Sequence, residues 1–182
     1  MNACTLFAWW GFNLWLPGFL SMPAASGGIG LSAAVMSWFV MAMQVGMWFG
    51  YVTFGYISDA VGRKRAYVAY LVTAAVLIAV YTSLRTPILL LLLGPFVAFF
   101  ATGYFSGFGA VTAEIYPTEI RATAQGLTYN LGRIASAAAP FTVGTLAQTR
   151  GFDVALSTTS VAFVLAAVLW IWIPETKGRE LA

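Results

Sequence analysis

The chain has 182 residues, 60% apolar and 8% charged, with a net charge of +3 and a mean hydropathy of +0.84. Soluble domains hold about 45–50% apolar and about 25% charged residues, so this composition excludes a soluble globular protein and implies a membrane protein. The bases sit in short gaps between apolar runs rather than on one soluble face, which excludes nucleic acid as a partner.

A helix needs about 20 apolar residues to cross a bilayer. Six segments meet that length in chain order: 4–22, which carries Pro17, then 31–57, 66–84, 87–115, 122–148, which carries Pro140, and 154–173. The connectors are too short for a soluble domain. The expected architecture is an all-α membrane protein, one six-helix transmembrane bundle over residues 1–182. Gly46-x-x-x-Gly50 in the second span and Gly103-x-x-x-Gly107 in the fourth are sites where helix backbones can approach closely, as are Gly126, Gly132 and Gly144 in the fifth.

Orientation follows from the basic residues. Arg63, Lys64 and Arg65 fall in the second connector, Arg121 in the fourth, and Lys177 and Arg179 in the tail, all on one side. Arg85 and Arg150 fall on the other. The imbalance places both termini in the cytoplasm, with the bundle integral to the plasma or inner membrane.

Polar groups at membrane depth are costly and mark function. Arg133 lies about twelve residues into the fifth span, roughly 18 Å deep at about 1.5 Å per residue. It needs an anionic partner or a watered cavity, and a substrate carboxylate would serve. A structural role, with Arg133 paired to Glu114 or to helix-end carbonyls, is the competing expectation. Asn13, Gln44 and Asn130 sit at similar depth, and Tyr104 belongs to an aromatic belt with Phe99, Phe100 and Phe105. The expected substrate-binding set is therefore Asn13, Gln44, Tyr104, Asn130 and Arg133.

Enzyme chemistry finds no support. The chain has no histidine and a single cysteine, Cys4. It shows no metal-ligand spacing, no nucleophile paired with a base and no phosphate-cradling loop, so neither a metal nor a cofactor is expected.

Three segments together carry a family resemblance. They are Gly55-Tyr56-Ile57-Ser58-Asp59-Ala60-Val61-Gly62-Arg63-Lys64-Arg65, Glu114-Ile115-Tyr116-Pro117-Thr118-Glu119-Ile120-Arg121 and Pro174-Glu175-Thr176-Lys177-Gly178. In this order they resemble the C-terminal half, helices seven to twelve, of a major facilitator superfamily transporter. The last resembles the end of helix twelve in sugar porters. Gly132-Arg133, with Trp15-Leu16-Pro17, looks more like the proton symporters of organic acids.

The resemblance implies transport of a small organic solute of the organic acid or sugar class, coupled to protons, by alternating access of two halves. The partner would be an N-terminal half or a second copy of the chain. Asp59, Arg63, Glu114 and Arg121 become a cytoplasmic gate network, with Asp59 favoured at the N-terminus of the third helix and Arg63 able to fork onto Glu114. The chain shows no acid at the midplane and no N-terminal half, so two further expectations stand beside transport. One is a truncated or split-gene fragment inactive alone; the other is a membrane scaffold or regulatory subunit.

Overall fold

A computed structural model describes residues 1–177, and the regular elements among them are helical. Helix α1 (Asn2–Ser21) runs through Pro17 and is followed by a 3₁₀ turn, Ala24–Ser26. Helix α2 (Ala33–Val61) opens on Ser32, whose Oγ accepts the Val35 amide at 3.4 Å. This is the N-cap that a serine is suited to provide. Gly62 then turns the chain with φ 109°, a conformation other residues rarely adopt, and α3 (Arg63–Ser83) starts at once.

Helix α4 (Pro87–Thr102) begins on a proline whose missing N–H would have no helical partner in any case. It passes through a 3₁₀ stretch, Gly103–Gly107, into α5 (Phe108–Ile115). Helices α6 (Arg121–Ser136) and α7 (Ala139–Arg150) form a second interrupted rod, broken at Ala137 and Ala138 just before Pro140. Helix α8 (Phe152–Leu169) closes the bundle and ends in a 3₁₀ turn, Trp170–Trp172.

The helical rods follow the expected segments to within a few residues. Four helical stretches are long and apolar enough to span a membrane: Ala33–Val61, Arg63–Ser83, Pro87–Ile115 and Phe152–Trp172. Helix α1 carries Asn2, Thr5, Asn13 and Ser21, and the α6–α7 rod is both broken and polar, with Arg121, Gln125, Asn130 and Arg133 in its first half. Neither reaches the hydropathy of the other four.

Glycines set the closest packing. A Cβ on Gly50 would lie 2.6 Å from the Phe99 carbonyl oxygen, one on Gly103 would lie 2.8 Å from that of Gly50, and one on Gly46 would strike the Pro95 backbone. Helix α2 therefore meets α4 backbone to backbone, the geometry small residues allow in lipid. Gly126 has open space around it and marks no such contact.

The core is aromatic. Tyr67 stacks on Trp170 at 4.3 Å, and Phe54 meets Tyr67 and Tyr70 edge-on at 4.9 Å. The outward faces of α2 (Trp38, Val45, Trp48, Phe49) and of α6–α7 (Leu127, Leu131, Ile134, Phe141) stay apolar and exposed. Such faces are unfavourable in water and compatible with hydrocarbon or a partner bundle.

Candidate functional site

At one end of the bundle the chain builds a charged network around the α2–α3 turn. Arg63 sends Nε and Nη2 to Glu114 Oε1 at 3.2 and 3.1 Å, and Nη1 to Ser58 Oγ at 2.7 Å. It also pairs with Asp59, one turn earlier. The Arg63 and Glu114 side chains are only 16% and 13% exposed, which limits screening and makes the fork a strong tie between α3 and α5. Both fork atoms meet one oxygen of Glu114, because the other accepts the Thr176 hydroxyl at 2.5 Å.

The structure thus brings Asp59, Arg63 and Glu114 together. Arg121, the first residue of α6, donates Nε to the Tyr116 carbonyl at 3.3 Å and holds the connection after α5. One expectation is corrected. Asp59 lies in the last turn of α2, which runs on to Val61, so it does not sit before the N-terminus of α3. The acid that fills that place is Glu175. Its Oε1 accepts the Arg63 amide at 2.8 Å and its Oε2 the Lys64 amide at 3.2 Å.

Burial acts to raise the Glu175 pKa, but the backbone amides of Lys177, Arg63, Lys64 and Thr176 outweigh it and hold the group below its ordinary value. Lys177 Nζ on the Ala60 carbonyl (2.7 Å) and Lys64 Nζ on the Ile171 carbonyl (2.8 Å) fasten the same segment from both sides. Glu175 and Thr176 were absent from the expected network. Their sequence signal was the acid in a tail otherwise read by its bases; the distance along the chain, 112 residues from Arg63, hid the pairing. Gly178 and Arg179, also read as part of the tail, lie outside the described residues.

Beside this network lies a cavity of about 270 Å³ where α1, α2, α5 and α6 converge, lined by Trp9, Trp10, Tyr51, Phe105, Phe108 and Tyr129 among others. Asn2 ties α1 to α6 here, its Nδ2 donating to the Thr128 carbonyl at 2.9 Å. Asn13, Gln44, Asn130 and Arg133 lie outside the lining of this cavity. Asn13 follows Trp9 and Trp10 by one turn on α1, Gln44 precedes Tyr51 by two turns on α2, and Arg133 follows Tyr129 by one turn on α6. Asn13 is half-buried, while Gln44, Asn130 and Arg133 are exposed on faces left open by the chain.

Arg133 Cζ lies 5.9 Å from the Tyr129 ring centroid, and Asn130 Nδ2 donates to the Gly126 carbonyl at 2.8 Å. Arg133 sits in the last turn of α6, where the helix dipole favours a cation. Among the described residues it enters no ion pair, so Glu114 is not its partner. Tyr104 is 2% exposed and packs on Tyr67, Phe105 and Phe163, behind the cavity wall rather than in it. Among the described residues no cluster could hold a metal ion.

One helical bundle thus carries a charged network and an aromatic cavity. The chain belongs to the Major Facilitator Superfamily, whose family model matches residues 1–182. It is 35% identical over 176 residues to a candidate metabolite transport protein of Haemophilus influenzae, covering 96% of this chain and 42% of that protein. It is 34% identical to a candidate niacin/nicotinamide transporter of Bacillus subtilis, covering 98% and 44%. The fold matches the crystal structure of a peptide transporter, POT, with TM-score 0.76 at 17% identity, over 93% of this chain and 35% of that one. The chain spans less than half the length of these relatives.

Proposed function

We propose that the chain forms the C-terminal half of a secondary transporter for a small organic acid. In this reading its helical rods make six crossings, both termini face the cytoplasm, and the second half of the cavity comes from an N-terminal half or a second copy. The observation that carries the reading is Arg133, a cation with no acid partner among the described residues, one turn beyond an aromatic cavity. A planar carboxylate could rest its ring on Tyr129 or Phe108 and its charge on Arg133. Asn13, Gln44 and Asn130 are the polar groups that would orient it, and Tyr104 would back the wall. The likeness to a niacin/nicotinamide transporter supports this solute class.

The network of Asp59, Arg63 and Glu114, with Arg121 beside it, is the cytoplasmic gate in this reading. Closing it ties α3 to α5 and the tail, and opening it breaks the fork, so the network sets the balance of two states rather than a chemical step. Protons are the proposed coupling ion.

The test is uptake of radiolabelled niacin into proteoliposomes holding the chain. Uptake above empty liposomes, stimulated by an inward proton gradient and reduced at least about ten-fold by Arg133→Gln, is the expected result for a lost charge-assisted contact. Wild-type uptake equal to empty liposomes would reject transport by the chain alone. Equal uptake by wild type and variant would reject the role of Arg133.

A further inference from the structure

A second cavity lies at the opposite end of the bundle, where α1, α7 and α8 converge on the 3₁₀ turn after α1. It encloses about 740 Å³ and is lined by Trp15, Gln148, Arg150, Phe152 and Asp153 among others. Its floor is aromatic and fixed. Trp15 and Phe152 lie 5.8 Å apart, and Trp15 Nε1 donates to the Pro140 carbonyl at 2.9 Å, which pins the indole against the start of α7.

The charges around this cavity do not cancel. Asp153 is already engaged, its Oδ2 accepting from Arg85 Nη2 at 3.2 Å and its Oδ1 from the Val154 amide at 3.0 Å. Arg150 ends α7, stands exposed at the cavity and enters no ion pair among the described residues. The lining therefore offers one guanidinium without an ion-pair partner among the described residues, the Gln148 amide, and the Trp15 and Phe152 rings. That chemistry selects a small anion with a flat apolar body: carboxylate on the guanidinium, ring on the indole.

We infer that this cavity is a second binding site for a small planar carboxylate, an encounter site at the face of the bundle opposite the charged network, with Arg150 as its anion-binding group. The inference rests on the reading of the chain as an organic-acid transporter. A cation in a low-dielectric mouth raises the local concentration of anionic solute, so the site feeds the deeper path that Arg133 serves.

The experiment is equilibrium binding of radiolabelled nicotinate and nicotinamide to the chain in nanodiscs, in the wild type, Arg133→Gln, and Arg133→Gln combined with Arg150→Gln or Arg150→Lys. Arg150 is exposed at a helix end, so its replacement leaves the core untouched. We expect Arg133→Gln to retain a class of nicotinate binding. Adding Arg150→Gln weakens that class at least about ten-fold, Arg150→Lys preserves it, and nicotinamide does not compete for it. Residual binding that is absent, or indifferent to Arg150→Gln, while the wild type binds would overturn the second site and leave Arg133 as the anion group. Binding that depends on Arg150 alone would support the second site and remove Arg133 from the reading. No binding to a wild type that is helical by circular dichroism would overturn both.

Discussion

Glu175 does three things at once: it caps α3, orders its own strand of tail and places Thr176 on Glu114. Its lowered pKa ties that arrangement to pH. The docked tail gains stability that is complete above the ordinary value of 4.5 and is lost as pH falls through the lower docked value. Hydrogen exchange at the Arg63 and Lys64 amides, corrected for intrinsic rate, should therefore show protection at neutral pH and its loss in acid below 4.5. Glu175→Gln should remove most of the protection at neutral pH, because the neutral amide is a weaker acceptor for a helix N-terminus. Unchanged exchange in the variant would mean that α3 does not depend on the tail.

At the scale of elements, glycine spacing was informative where two helices meet and misleading where one faces outward. Gly46 and Gly50 sit against the α4 backbone, whereas Gly126 faces open space. Gly50→Val should destabilise the bundle by about 1–3 kcal/mol or more through overpacking. Gly126→Ala should be neutral, or stabilising by up to about 1 kcal/mol through helix propensity. Thermal melts in detergent compare the two. An equal fall in both variants would contradict the close α2–α4 approach.

Element boundaries were legible because long apolar runs and the proline at 87 leave few choices. The breaks at Gly103–Gly107 and Ala137–Ala138 were less so. The apolar runs continue across them, and only the change from α-helical to 3₁₀ or turn geometry in the structure reveals where each rod is interrupted.

For the whole molecule, orientation is the property that the proposed mechanism needs most. With Cys4→Ser as background, a cysteine introduced at Arg65 should react with an impermeant maleimide only from the cytoplasmic side, and one at Ser26 only from the opposite side. Labelling of both from one side would invert or break the proposed topology.

The two sites differ in how well sequence disclosed them. The pairing of Arg63 with Glu114 was legible through the family resemblance of the segments that hold them, since composition alone left Glu114 equally open to Arg133. The cavity was not readable in the same way, because Trp9, Tyr51, Phe108 and Tyr129 come from four helices and share no spacing. Tyr104, which its depth in the aromatic belt of the fourth span placed with the binding set, lies behind the wall, buried in the 3₁₀ stretch against Tyr67 and Phe163.

The reach of Glu175 back to α3 also bears on how the protein is made. The basic turn at Gly62 emerges in synthesis before the tail does, with the amides of Arg63 and Lys64 at the start of a helix and their carboxylate acceptor still to come. Their acceptor arrives 112 residues later, after α8. Until then the start of α3 lacks its capping carboxylate, while Asp59 and Glu114 have already emerged to meet the Arg63 side chain.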